Sequence, residues 1–125
     1  MNYKEAIDRI LVGEEAYQDP GFSAQGLAER LDVSPYKLSR ILRSEYGSSY
    51  TELVHELRIG KACRCLRQKR FAPYSVDDIG AMVGFRNRQS FFTAFKKTTG
   101  TTPEQYRQKC SNCYSPSVAS STLGV

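Results

Sequence analysis

The chain has 125 residues, 40% of them hydrophobic, a net charge of +5 and a pI near 9.1. That length buries a core without metals or disulfides. The apolar runs are too short for a membrane span, and residues 1–20 lack the basic start and apolar stretch of a signal peptide, so no membrane partner is expected and the cytoplasm is the expected address.

Apolar residues at 3, 6, 7, 10, 11 and 17 have helical spacing and predict a first helix from Tyr3 to Tyr17, stopped by Asp19-Pro20-Gly21. Ser23 is the expected cap of a short helix with Leu27, Ala28 and Leu31 inward, broken at Asp32-Val33. Ser34-Pro35 opens the next helix, with Leu38, Ile41 and Leu42 inward and Gly47 as its stop. A longer helix is expected from about Tyr50 to Lys69. Its stripe of Tyr50, Leu53, Val54 and Leu57 passes to Ile59, Ala62 and Leu66 on a shifted face, and Pro73 ends the region. Ser75-Val-Asp-Asp78 is close to a capping box for a short helix that buries Ile79 and Val83 and breaks at Gly84. A strong helix follows from about Asn87 to Thr99, with Phe91, Ala94 and Phe95 inward and Gly100 after it. Thr102-Pro103 opens a final turn ending near Arg107. Residues 110–125 are Ser-rich and read as a flexible tail. No segment carries a strand pattern, and the expected fold class is all-α.

Charge is distributed unevenly over these elements. Residues 1–33 hold three basic and seven acidic side chains, a balance of −4; residues 34–109 hold fifteen basic and six acidic, a balance of +9. A basic body behind an acidic first segment suggests a face aimed at phosphate.

The chain also repeats itself. At an offset of 52, Ser23 falls on Ser75, Leu27 on Ile79, Ala28 on Gly80, Leu31 on Val83 and Val33 on Phe85. At an offset of 53, Leu38 falls on Phe91, Leu42 on Phe95, Arg43 on Lys96 and Gly47 on Gly100. Each copy reads as short helix, tight break, second helix and glycine stop, which is the helix-turn-helix plan. Gly84 stands where that turn often needs a positive φ; Asp32, its counterpart, adopts that conformation less easily. The division expected is a first helix-turn-helix unit in residues 1–48, a linker helix in 49–70, a second unit in 71–109 and the tail in 110–125. A linker of about 20 residues is roughly 30 Å long, close to the ~34 Å between successive major grooves on one face of B-DNA. One chain is therefore long enough to read two adjacent grooves.

These residues carry a family resemblance. Ile79-Gly-x-x-Val83-Gly84-Phe85, Phe91, Phe95-Lys96-Lys97, Gly100-Thr-Thr-Pro103 and Tyr106-Arg107 closely resemble the C-terminal signature of the DNA-binding domain of AraC/XylS transcription regulators. Leu57-Arg58-Ile59 with Ala62 and Leu66 resembles the family's linker helix, and the likeness covers about residues 5–107. Two positions depart from the pattern: Gly80 stands where the family usually has Ala, and Phe92 where it tends to carry a small polar residue. The resemblance implies seven helices, with each unit placing its second helix in the major groove, often on bent DNA. It also implies a transcription factor, most often an activator that contacts RNA polymerase. A sensory or dimerising domain usually accompanies this domain. The helical region here starts within a few residues of Met1, so an excised C-terminal piece is expected over a stand-alone regulator.

On the first reading helix Tyr36, Ser39, Arg40 and Arg43 follow i, i+3, i+4, i+7 and share the face opposite Leu38, Ile41 and Leu42. Arg40 suits a guanine edge, and Tyr36 a thymine methyl or a phosphate. By the resemblance, Tyr36, Ser39 and Arg40 contact bases, while Lys37 and Arg43 are phosphate candidates. The equivalent face of the second helix holds Arg88, Gln89, Phe92, Thr93 and Lys96. Arg88, Gln89, Phe92 and Thr93 are its base-contact candidates. Gln89 suits adenine, and Phe92 either meets a thymine methyl or folds into the core. Arg86, Arg88, Lys96 and Lys97 are expected on phosphates. Ser34 and Asn87 start the two helices, where free backbone N–H groups also bind phosphate. Arg58 is expected to pack or pair within the linker. The unequal faces favour the first unit for base specificity, and the second for placement.

Nothing in the sequence favours catalysis. His55 is the single histidine, no glycine loop cradles a phosphate, and the carboxylates are spread over surface faces. No cofactor and no metal are expected. Cys110-x-x-Cys113 has metal or redox spacing without a matching second pair, so free thiols are the expectation for all four cysteines.

Overall fold

The computed structural model describes residues 2–113, and these hold seven α-helices and no strand. They are α1 (Tyr3–Asp8), α2 (Ala24–Leu31), α3 (Pro35–Tyr46), α4 (Tyr50–Leu66), α5 (Val76–Met82), α6 (Arg88–Thr99) and α7 (Pro103–Cys113). Each of the middle helices starts at a side-chain acceptor. The Ser23 hydroxyl accepts from the Gly26 N–H at 3.1 Å, Ser34 from Lys37 at 3.1 Å, and the Asn87 carbonyl oxygen from Ser90 at 2.8 Å. Ser49 with Glu52, and Ser75 with Asp78, bond reciprocally as capping boxes. Such a cap stabilises a helix by about 1 kcal/mol.

The apolar faces collect into two cores. The first joins Ile7, Ile10, Leu11, Tyr17, Leu27, Leu31, Leu38 and Leu42, with Val54 from α4. The second joins Val76, Ile79, Val83, Phe85, Phe91 and Phe95, with Ile59, Ala62, Cys65 and Leu66 from α4. So α4 is a wall of both cores.

Three elements differ from expectation. The first helix does not reach Tyr17. It is α-helical to Asp8, widens into a π turn over Arg9–Gly13, reverses at Glu15 with φ +55°, and resumes as a tight turn over Ala16–Gln18. Tyr17 is nonetheless buried, so the spacing of apolar residues misled: it counts buried positions and is blind to a break between them. The linker helix stops at Leu66, three residues early, and its 17 residues span about 25 Å. The last helix is longer than the turn expected to end near Arg107, and runs to Cys113 through the start of the expected tail. Its apolar anchors are confined to its start, where Pro103 is buried and Tyr106 lies edge-on to Phe95 at 5.5 Å, and polar ties add to them. Thr102 and Gln105 cap it reciprocally, Arg67 donates to the Tyr106 hydroxyl at 2.8 Å, and Arg107 donates to the Phe71 carbonyl at 3.1 Å. The remainder of that tail, and the Cys113 side chain, lie outside the described residues.

Candidate nucleic-acid interface

The two α-helix pairs α2–α3 and α5–α6 close with the same backbone bonds. In the first, Asp32 N–H donates to Glu29 and Val33 N–H to the Ala28 carbonyl; in the second, Gly84 donates to Ala81 and Phe85 to Gly80. Asp32 and Gly84 both have positive φ, +56° and +116°. The second helix of each pair ends alike, Gly47 donating to Arg43 and Gly100 to Lys96. Offsets of 52 and 53 residues in the sequence are thus offsets in the hydrogen bonding.

On α3 the face opposite Leu38 and Leu42 is open. Tyr36 is 72% exposed, the largest exposure of any large hydrophobic residue in the described chain. The Arg40 guanidinium lies 5.9 Å from its ring centre and makes no hydrogen bond or ion pair among the described residues. Ser39 is exposed beside them. Lys37 sits 5.3 Å from the Tyr3 ring, and Arg43 reaches Glu52 only at 4.0 Å. Ser34 spends its hydroxyl on the cap. The helix itself is braced from behind by the Tyr46 hydroxyl, which donates to Asp8 at 2.6 Å and holds that carboxyl below its ordinary range.

The α6 face is more occupied. Arg88 pairs with Asp77 at 3.0 Å and lies 3.8 Å from Glu104, with its guanidinium 4.2 Å from the Phe92 ring centre. Phe92 is half-buried, edge-on to Phe91 at 5.8 Å, and packs against the second core. Gln89, Thr93 and Lys97 line a cleft of about 870 Å³ between α6 and the first half of α4. Lys96 and Lys97 are exposed and form no ion pair among the described residues. Asn87 caps the helix. The cleft's other wall, Thr51, Glu52, His55 and Glu56, was not among the expected site residues. Its sequence signal is the polar i, i+4 pair Thr51–His55 on α4. Burial, with Arg58 and Lys97 near, pushes the His55 imidazole below its ordinary value, so the ring is neutral at pH 7.

Arg86 and Arg58 are turned to internal work. Arg86 Nε donates to the Pro20 carbonyl at 3.2 Å. Arg58 donates to the carbonyls of Tyr17 at 2.6 Å and Asp19 at 3.2 Å, and its guanidinium stands 5.6 Å from the Phe85 ring centre. It pairs outside the linker, not within it, and touches both halves of the molecule.

Two capped helix pairs with matching turns, each presenting a polar or cationic face on its second helix, define a DNA-binding domain of the tandem helix-turn-helix class. Comparison with known proteins narrows this. A helix-turn-helix domain family matches residues 27–109. The C-terminal domain of the two-component response regulator yesN from Fusobacterium nucleatum is 34% identical, covers 86% of this chain and 99% of its own, and superposes with a TM-score of 0.74. The DNA-binding domain of the global transcriptional factor AdpA, solved in complex with a target DNA, is 26% identical over 89% of this chain and 94% of its own, with a TM-score of 0.76. The arabinose operon regulatory protein of Escherichia coli is 30% identical over 92 residues, which are 74% of this chain and 30% of that protein. The chain belongs to the AraC-type helix-turn-helix family of transcription regulators. It spans 14–38% of the length of the first curated relatives it matches.

Proposed function

We propose that this chain is the operator-reading part of a bacterial regulator, and that it lays α3 and α6 in two adjacent major grooves as a monomer. The observation that carries this is the pair of identically bonded turns, with Tyr36 and Arg40 uncovered on α3. Tyr36, Ser39 and Arg40 read bases from the first unit. Gln89 and Thr93 read from the second, with Arg88 and Phe92 as base neighbours once Arg88 leaves Asp77. Lys37, Arg43, Lys96 and Lys97 meet phosphates, as does Arg86 through the guanidinium nitrogens that its Nε bond to Pro20 leaves over, and as do the first-turn N–H groups that follow Ser34 and Asn87. The role is recognition without catalysis, in the cytoplasm, and the regulator acts as an activator that contacts RNA polymerase. A sensory or dimerising part of a longer parent chain supplies the signal. No helix among the described residues is long and apolar enough to cross a membrane.

Selection of bound sequences from a random duplex pool tests the reading and yields the site: two conserved blocks about one helical turn apart are expected, and recovery of no motif overturns it. On that duplex, five phosphate contacts predict that log K falls by about 4–5 per log unit of salt. A flat salt titration would remove the DNA reading altogether. Arg40→Ala is expected to weaken binding by about 1–3 kcal/mol and to relax preference at one base position. Unchanged affinity and preference in a fluorescence titration would sink that assignment.

A further inference from the structure

Among the described residues, the two units meet outside α4 where the chain from Glu14 to Phe22 faces the turn at Gly84–Arg86. The tongue of chain from Glu14 to Phe22 gives Tyr17 to the first core and is pinned to α4 by Lys61–Glu15 at 3.4 Å, by both Arg58 bonds, and by the Tyr50 hydroxyl donating to Phe22 at 3.2 Å. The turn of the second unit rests on the same tongue. A Cβ placed on Gly84 would lie 2.8 Å from the Tyr17 carbonyl oxygen, 2.9 Å from that of Gln18 and 2.8 Å from Arg58 Nε. Next to it Arg86 bonds Pro20, and Phe85 packs between Arg58 and the His55 ring, 5.4 Å away. α4 joins them as well, and it carries Gly60 near its middle, where the first core gives way to the second. An interior glycine weakens a helix by about 1 kcal/mol relative to alanine.

We infer that Arg58 is a positioning residue for recognition: it keys the tongue to the second turn, and thereby sets the distance and rotation between the two reading helices. This rests on the two-groove reading above. With the key in place, docking of α3 presents α6 at a high effective concentration to the next groove, and to one spacing of it. Without it the second unit swings about the middle of α4, finds its groove less often, and tolerates grooves at other spacings.

The test uses the full chain and three duplexes: the site selected by the intact chain, the same site with its second block scrambled, and the same site with one base pair inserted between blocks. Arg58→Ala is expected to bind the scrambled duplex within about twofold of the intact chain, and to bind the selected duplex about tenfold more weakly. It should also lose most of the discrimination against the inserted base pair, with an unchanged salt slope. Asp19→Ala is the second variant. Asp19 is exposed, and its carboxylate accepts from the Gly21 N–H at 2.8 Å, shaping the tongue without entering a core. It should move all three readings the same way by less, and it decides the matter if Arg58→Ala does not fold. Equal losses on the selected and scrambled duplexes, or an unaltered spacing preference, overturn the proposal. A salt slope shallower by about one makes Arg58 a phosphate contact instead, which also overturns it. Failure of the intact chain to prefer its selected site over the scrambled one is a different result, and removes the two-groove reading itself.

Discussion

Gly84→Ala is expected to lower the unfolding free energy by about 2–6 kcal/mol. Two costs combine. At φ +116° an L side chain is strained by roughly 1–3 kcal/mol. The new Cβ also meets two backbone carbonyls and the Arg58 guanidinium inside 3.0 Å, an overpacking that costs about another 1–3 kcal/mol. Backbone does not rotate out of the way as a long side chain does. Gly47 supplies the comparison: its φ is +69°, but nothing lies within 4 Å of its added Cβ, so the same substitution there carries the conformational cost alone. A denaturant midpoint for Gly84→Ala equal to that for Gly47→Ala would show that the tongue yields to the turn.

The second large effect is a coupling. Gly80 and Phe92 are the two positions that depart from the family pattern, and both touch Phe91. A Cβ on Gly80 would lie 2.5 Å from Phe91 Cδ2 and 2.7 Å from its Cγ, while Phe92 stands edge-on to that ring and Phe85 lies 5.3 Å away on another side. Phe91 is 1% exposed, and its near ring atoms cannot retreat. Helix propensity alone makes Gly80→Ala stabilising by about 1 kcal/mol; overpacking offsets that gain and leaves a net loss of up to about 2 kcal/mol. In a Phe92→Ser background the ring has room to shift, and Gly80→Ala should recover about 1 kcal/mol of that loss. A double-mutant cycle by urea denaturation measures the coupling. Additive effects, or a stabilising Gly80→Ala in the original background, would mean that the two departures are unrelated.

Much of the fold was legible because its punctuation is chemical. Ser23, Ser34, Ser75 and Asn87 cap the helices where a short acceptor side chain precedes an apolar stripe, and Gly47 and Gly100 stop them in the left-handed region. Asp32 takes a positive φ as Gly84 does, although its side chain marks it as a residue that adopts that conformation less easily. What stayed hidden was tertiary. The π turn and the reversal at Glu15 leave no mark on apolar spacing. The first half of α7 is tied across the fold by Arg67 to Tyr106 and by Arg107 to Phe71, partners that no local pattern names, and the helix continues past Arg107 without an apolar stripe to announce it. Gly80 reads locally as a weak helix position, and only the Phe91 ring against it gives a reason for the missing Cβ. Among the site candidates, the open face of α3 was readable from helical spacing. The engagement of Arg88 with Asp77 and of Arg86 with Pro20 was not, since their partners lie 11 and 66 residues away in the chain.

The placement of α4 in both cores has a consequence for how the chain folds. Neither helix-turn-helix unit owns its whole interior: the first borrows Val54, and the second borrows Ile59, Ala62, Cys65 and Leu66. Fraying of either unit exposes one flank of the same rod, and melting of the rod uncovers both interiors together. The two halves repeat one design in sequence, yet the shared rod favours a single cooperative transition for both, as in one domain.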